Sequence, residues 1–396
     1  MSHLAPLQAL PNASRSPGPA DLGIVMTGGG ARAAYQVGFL RCVARLFPEL
    51  QIPYVTGVSA GAINAALVAS HHGSFLQAVS ELSELWGNLT VKDVFRTDSR
   101  SLAMNAWNWV RQLSSGGIGS HRLVRGLVDT HPLRSYLTEV LHAVDGELTG
   151  VQYNLDCGRL KALAISTTSY STGQSVTWIQ GKEVELWKRP QRRPVMATIT
   201  VDHIMASAAL PLFFPAVQVD NAWYGDGGIR LFAPLSPVVH LGARKIIAIS
   251  TRYAATEAEA SQETVQGYPP PAQVMGILLN SIFLDLLDHD AVRLERLNQL
   301  IDGVPEESRH GLKEVRLLTL RPSRDLGRMA GEFESQLPRA FRFMTRGLGT
   351  KETRSPDFLS MVLFQPDYLG ALIEIGEKDA EARVGEIEAF LRDDDD

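Results

Sequence analysis

The spacing of apolar residues changes several times along the chain, and each change marks an element. Residues 23–27 form a short apolar run that ends at Gly28, Gly29 and Gly30. From residue 31 to 47 the apolar positions Ala34, Val37, Leu40, Val43, Ala44 and Phe47 recur at helical spacing, and Pro48 follows. Residues 54–57 predict a second brief strand, Ser59 falls at the turn, and Ala60–Ser70 is an alanine-rich helix. Strand, helix, strand and helix in this order predict a parallel sheet with helices on its faces.

Phe75–Asn88 predicts a further helix. Across residues 90–126 the pattern weakens into Trp107, Trp109, Gly116, Gly117 and Gly119, which suits either a lid or a packed insertion. Residues 161–168 and 175–179 read as two strands joined at Thr172-Gly173, and 195–209 as a helix followed by Pro211 and Pro215. Residues 217–219 and 223–224 flank Asp220-Asn221, a hairpin signal. A buried strand is expected at 246–250 and another strand at 315–320, with long helices at 272–300 and 367–392. Residues 1–20, rich in Pro, Ser and Ala, read as a disordered leader, and the acidic run 393–396 as a solvated tail. The expected organisation is therefore an α/β domain over 21–255 and a mostly helical extension over 256–396 that completes or packs on the core.

Composition narrows the class. Hydrophobic residues at 45% and charged residues at 20% fit a folded chain of 396 residues. A net charge of -5 gives no general electrostatic reason to expect nucleic acid as a partner. Two cysteines, Cys42 and Cys157, are too few for a disulfide framework; both lie in apolar segments and read as small core residues. No run of ~18 apolar residues occurs, so no transmembrane segment is expected. Nor does residue 1–20 combine a charged start with an apolar stretch. The expected location is cytoplasmic or peripheral to a membrane, and export without an N-terminal apolar signal would leave no trace.

Candidate chemistry begins at Gly57-Val58-Ser59-Ala60-Gly61, which fits G-x-S-x-G. A serine on a sharp strand-to-helix turn needs tiny neighbours, projects its hydroxyl from the sheet edge, and has a helix N-terminus behind it. The motif alone is weak, since Ser59 also suits a plain helix N-cap. The loop Gly28-Gly29-Gly30-Ala31-Arg32 opens the preceding helix and offers backbone N–H groups to negative charge. Such a turn also cradles nucleotides, but Ala33 occupies the last glycine of the dinucleotide pattern and no Gly-Lys-Ser/Thr follows.

A serine nucleophile needs a base. His71 and His72 end a helix, His131 precedes Pro132, and His289 lies among Asp285, Asp288 and Asp290; each suits a surface or capping role. Asp226, followed by Gly227 and Gly228 after a short strand, is more suggestive, although Asp-Gly turns are common. Burial would raise its basicity from the usual ~3.9.

Taken together and in this order, these three motifs resemble the patatin-like phospholipases. Ser207-Ala208-Ala209-Leu210-Pro211-Leu212-Phe213-Phe214-Pro215 is similar to the family's segment before its aspartate, and the resemblance spans about residues 21–250. Ala33 departs from the family's usual glycine. The resemblance implies a three-layer α/β/α fold with a mainly parallel sheet, a Ser59–Asp226 dyad without histidine, and no metal or other cofactor. It implies lipid acyl hydrolysis through an acyl-enzyme, with Gly28, Gly29, Gly30, Ala31 and Arg32 forming the oxyanion and substrate-binding loop. Arg32 is expected to steady that loop or meet a phosphate.

The implied partner is a lipid or acyl-ester substrate at a membrane surface. Leu210, Leu212, Phe213, Phe214, Ile229, Leu231 and Phe232 suit an acyl channel or ordinary core packing equally, and Arg189, Arg192 and Arg193 suit a solvated loop better than headgroup contacts. Competing readings keep the nucleophile for an acyltransferase or thioesterase, or make the fold a silent lipid- or protein-binding module. A Ser–Asp–His α/β-hydrolase is disfavoured, because there the nucleophile follows several strands and here it follows one.

Overall fold

The computed structural model describes residues 4–96, 104, 107 and 126–392, apart from 188, 263, 264, 266, 354 and 355. Most of the candidate lid and the acidic run 393–396 therefore lie outside the described residues.

The centre of the molecule is β1 (Leu22–Met26), every residue of which is buried. It pairs in parallel with β2 (Tyr54–Val58) on one side and β8 (Lys245–Ile249) on the other. Strand side chains alternate between faces, and the two faces of β1 and β8 enter different cores. Leu22, Ile24, Met26, Ile247 and Ile249 join the large core, while Val25, Ile246 and Ala248 join a second one with Val238 and Leu287. Burial on both faces is what a run such as LGIVM requires. The result is a three-layer α/β/α arrangement.

The sheet runs β5-β4-β3-β2-β1-β8-β9, with β3 (Ala162–Ser169), β4 (Ser175–Gly181), β5 (Arg192–Met196) and β9 (Arg316–Leu320). Its interior pairs β3–β2–β1–β8–β9 are parallel, and β3–β4 is antiparallel. A hairpin of β6 (Val217–Val219) and β7 (Ala222–Asp226) sits on β3, opposing Thr167 with Asp226.

The helices that matter for the site are α1 (Ala34–Leu46), α2 (Ala60–Ser70), α3 (Phe75–Asn88), α4 (His131–Val140), α5 (Val201–Ser207), α6 (Pro271–Phe283), α7 (Leu286–Ile301), α8 (Asp357–Val362), α9 (Pro366–Glu381) and α10 (Val384–Arg392). The C-terminal α9 packs along α1, where Arg41 and Arg45 meet Glu377 at 2.9 and 3.1 Å and the Tyr35 hydroxyl donates to Asp379 at 3.1 Å. Tyr368, Leu369, Leu372 and Ile373 are fully buried there. The region after 255 is thus part of the core and supplies the edge strand β9.

Several expectations change. The helix expected over 195–209 begins as strand β5, because Val195 and Met196 extend the sheet beside Trp178 and Ile179; only α5 is helical. The helix over 272–300 breaks at Leu284 and Asp285 into α6 and α7, and that over 367–392 breaks after Glu381 into α9 and α10. Cys42 is buried as expected, but Cys157 is exposed, since it caps the end of helix Thr149–Asp156 at the surface. Residues 4–20 form no helix or strand, yet lie against the body: Leu10 and Ser14 donate to the Arg45 and Leu46 carbonyls at 2.9 and 2.8 Å. Leu4, Leu7 and Leu10 pack on the large core.

Only when α6 and α7 are taken together across their break is Pro271–Ile301 long and apolar enough to cross a membrane, by length and composition alone. Its second half is tied to the fold by charge instead. Arg252 bridges to Asp285 and Asp288 at 2.7 and 2.5 Å, Arg321 reaches Asp288 at 2.8 Å, and Asp290 accepts the Leu235 N–H at 2.8 Å.

Candidate active site

β2 ends at Val58 and α2 starts at Ala60, so Ser59 alone reverses the chain. It does so at φ 56°, ψ -133°, a conformation that costs a non-glycine residue energy and persists only where its surroundings impose it. One constraint is the approach of α2 to β1. A Cβ on Gly61 would stand 2.2 Å from the Met26 carbonyl oxygen, so only glycine permits the packing. Another is the Ser207 hydroxyl at the end of α5, which accepts the Ser59 N–H at 3.0 Å and donates to the Ser166 carbonyl at 2.7 Å.

Sheet pairing delivers the carboxylate. Ser166 on β3 lies beside Val58 on β2, and Asp226 at the end of β7 lies beside Thr167 on β3. The Asp226 backbone is held on both sides: its N–H donates to Ala209 O at 3.1 Å, and Thr168 donates to its carbonyl at 2.8 Å. Asp226 Oδ1 accepts the Gly228 N–H at 2.9 Å, and Oδ2 accepts the Ser59 hydroxyl at 2.6 Å. Asp226 is wholly buried, and that burial pushes its carboxyl up to about 7 against the pull of the Ser59 and Gly228 hydrogen bonds.

The glycine loop lies directly on the serine. A Cβ on Gly28 would fall 2.8 Å from Ser59 Cβ and 3.4 Å from its Oγ. Gly29 and Gly30 have φ of 140° and 58°, which lets the chain turn into a short 3₁₀ segment, Gly30–Ala33, before α1. Thr251, after β8, donates to the Gly28 carbonyl at 2.7 Å. Ala31 is buried, and Arg32 is turned inward onto α8. Beneath the loop, Gln36 donates to Thr27 O at 2.8 Å, Asn64 to Gln36 at 2.9 Å and Trp86 to Asn64 at 2.7 Å, a buried chain that joins α1, α2 and α3.

Ser59 opens on a narrow apolar cavity of about 40 Å³, lined among others by Ile63, Trp86, Leu137, Phe283 and Met361. Of the expected channel residues, Leu210 and Phe214 line it. Phe213 instead packs edge-on against Phe95 and Phe358 in the core, while Leu212 and Phe232 are exposed. Arg192 and Arg193 fall on strand β5, where Arg192 donates to Ser236 at 3.2 Å.

Among the described residues no histidine hydrogen-bonds to Ser59 or Asp226. His203, the buried one, contacts the Thr200 hydroxyl at 2.8 Å and lies edge-on to Trp178, and burial pushes it down to about 4. No group of three or more His, Cys, Asp or Glu side chains is placed to hold a metal ion among the described residues.

Sequence reading missed Ser207, Thr251 and the walls Ile63, Trp86 and Phe283. Ser207 lay inside a segment singled out for its resemblance, but nothing local marks a serine that will hold the amide of a residue 148 positions away.

A family model described as patatin-like phospholipase matches residues 24–239. Human GIVD cytosolic phospholipase A2 in complex with methyl gamma-linolenyl fluorophosphonate is similar at 14% identity and a TM-score of 0.45, over 94% of this chain and 59% of that one. VipD from Legionella pneumophila is similar at 13% identity and a TM-score of 0.35, over 87% of this chain and 67% of that one. The type III effector protein ExoU is similar at 15% identity and a TM-score of 0.29, over 91% of this chain and 54% of that one. No curated protein matches the chain.

Proposed function

The chain belongs to the patatin-like phospholipase family, and from that premise we propose that it is a serine lipid acyl hydrolase of the phospholipase A or lysophospholipase kind. Ser59 is the nucleophile and Asp226 the base. The observation that carries this reading is the 2.6 Å hydrogen bond from the Ser59 hydroxyl to a fully buried Asp226.

Attack of Ser59 Oγ on an ester carbonyl requires loss of its proton, and Asp226 Oδ2 is the acceptor in line. A carboxylate raised to about 7 is a far better base than an ordinary aspartate, because general-base efficiency peaks when the pKa lies near the working pH. The tetrahedral oxyanion then develops beside the loop at Gly28, Gly29, Gly30 and Ala31 and the N-terminus of α2, where backbone N–H groups offset its charge. Collapse breaks the bond to the leaving alcohol, which takes the proton from Asp226, and leaves Ser59 acylated. Water, deprotonated by the same carboxylate, attacks the acyl-enzyme; collapse breaks the bond between Ser59 Oγ and the acyl carbon, Asp226 returns the proton to Ser59, and the fatty acid is released.

The apolar cavity suits the first carbons of an acyl chain, of which about 40 Å³ holds a short stretch. α6 supports action at a lipid surface. Its Phe283 lines the cavity, while Val274, Met275, Ile277 and Leu278 on the same helix are exposed to solvent.

A fluorophosphonate probe is expected to label the wild-type chain on Ser59, and Ser59→Ala to lose both the label and hydrolysis of a short p-nitrophenyl ester. Full turnover by Ser59→Ala would overturn the assignment. A phospholipid and lysophospholipid panel then identifies the substrate.

A further inference from the structure

Arg32 belongs to the glycine loop, yet its side chain is nearly all buried and does not line the cavity. Its guanidinium donates from Nε to Ser360 Oγ at 2.6 Å and from Nη2 to Asp357 Oδ1 at 2.5 Å. Ser360 donates its own proton to the Asp357 carbonyl at 2.6 Å, which leaves its oxygen free to accept from Arg32. Both partners sit on α8, 325 and 328 residues along the chain and outside residues 24–239 of the family match. The same helix meets the loop through its backbone: a Cβ on Gly30 would stand 2.1 Å from the Met361 carbonyl oxygen.

We propose that Asp357 and Ser360 are positioning residues for the reaction. By holding Arg32 they fix the turn at Gly29, Gly30 and Ala31, so the C-terminal region sets the geometry of the oxyanion donors. This rests on Ser59 being the nucleophile.

The physical case has three parts. A guanidinium offers donors in a rigid planar fork, so two acceptors held by one short helix fix its position as well as its charge. Taking one acceptor away leaves a buried cation short of a partner, and the loop that carries it must shift to recover one. Oxyanion donors work only when aimed at the developing charge, and loss of a single one costs roughly 10²–10³-fold in kcat. A displaced loop therefore shows in kcat before it shows in substrate binding.

The test uses the full chain and a soluble short-chain ester, with active sites counted by fluorophosphonate titration so that unfolded protein does not enter kcat. Ser360→Ala, Asp357→Asn, Arg32→Lys and the double variant Arg32→Lys/Ser360→Ala are compared with wild type. Each single variant is expected to lose about tenfold or more in kcat with KM changed by less than about threefold, a part of the full oxyanion effect. The double variant is expected to be no slower than Arg32→Lys, because both changes cut one link. Folded single variants with kcat within about twofold of wild type would overturn the positioning role, and so would losses that multiply in the double variant. Ser360→Ala removes only one hydroxyl and carries the test if Asp357→Asn does not fold. A wild type without Ser59-dependent turnover sinks the nucleophile assignment and this role with it; a normal wild type with unaffected variants sinks this role alone.

Discussion

At the scale of the residue, Asp226 is defined by what surrounds it. A solvated aspartate ionises near ~3.9 and takes a proton from serine poorly. With water excluded, the charged form loses its hydration, and the two hydrogen bonds it accepts recover only part of that loss. The consequence is a pH profile of definite sign. As the proposed base, Asp226 must be ionised to act, so kcat/KM on a soluble ester is expected to fall as the pH drops through about 7, with an inflection there. An inflection near 4 would mean an ordinary solvated carboxylate. Ser59, Asp226 and the three glycines stood out in the sequence as candidates because each carries a local signature of turn, small neighbours or Asp-Gly-Gly. Ser207, Trp86 and Phe283 were not. Their roles come from which elements the sheet and helices bring together, and no spacing along the chain encodes that.

At the scale of the element, the close fit between α2 and β1 fixes the elbow. Gly61→Ala places a methyl 2.2 Å from Met26 O and 2.5 Å from Thr27 O, both backbone atoms that cannot step aside. The helix must then lift, at an expected cost of ~3 kcal/mol, the upper end for overpacking in a core. A lower urea midpoint at an unchanged m-value checks this, and a shift under ~1 kcal/mol would show that α2 has room to relax. Short apolar runs and helical spacing located β1, β2, α2 and α3 within a residue or two, since those strands are buried along nearly their whole length and the helices carry apolar faces into the core. It failed at 195–209. There Val195 and Met196 suit a helix face or an edge strand equally, and the free edge of β4 decides in favour of β5. Helix breaks at Leu284 and after Glu381 were likewise invisible, because neither site carries a proline or glycine.

At the scale of the whole molecule, the polypeptide closes on itself. α9 packs along α1, and α8 touches the glycine loop, so the site rests against the C-terminal region. Four fully buried side chains of α9, Tyr368, Leu369, Leu372 and Ile373, contribute ~1.5–3 kcal/mol each. Their sum, ~6–12 kcal/mol, rivals the total stability of an ordinary domain, ~5–15 kcal/mol. A chain ending at residue 365 is therefore expected to lose cooperative unfolding by circular dichroism and calorimetry; a sharp transition in that fragment would make α9 an accessory. The sequence marked this region as helical and as packing on or completing the core. Its contact with the glycine loop was beyond reach, since Arg32 finds its partners more than 300 residues away.

The central claim is that one buried carboxylate activates the serine without a histidine, and Asp226→Asn tests it most directly. The substitution keeps the shape and removes the charge, so the folded variant, measured by single-turnover hydrolysis of a short ester, is expected to lose ~10³-fold or more in the acylation rate. A folded Asp226→Asn protein that acylates within about tenfold of wild type would contradict the account.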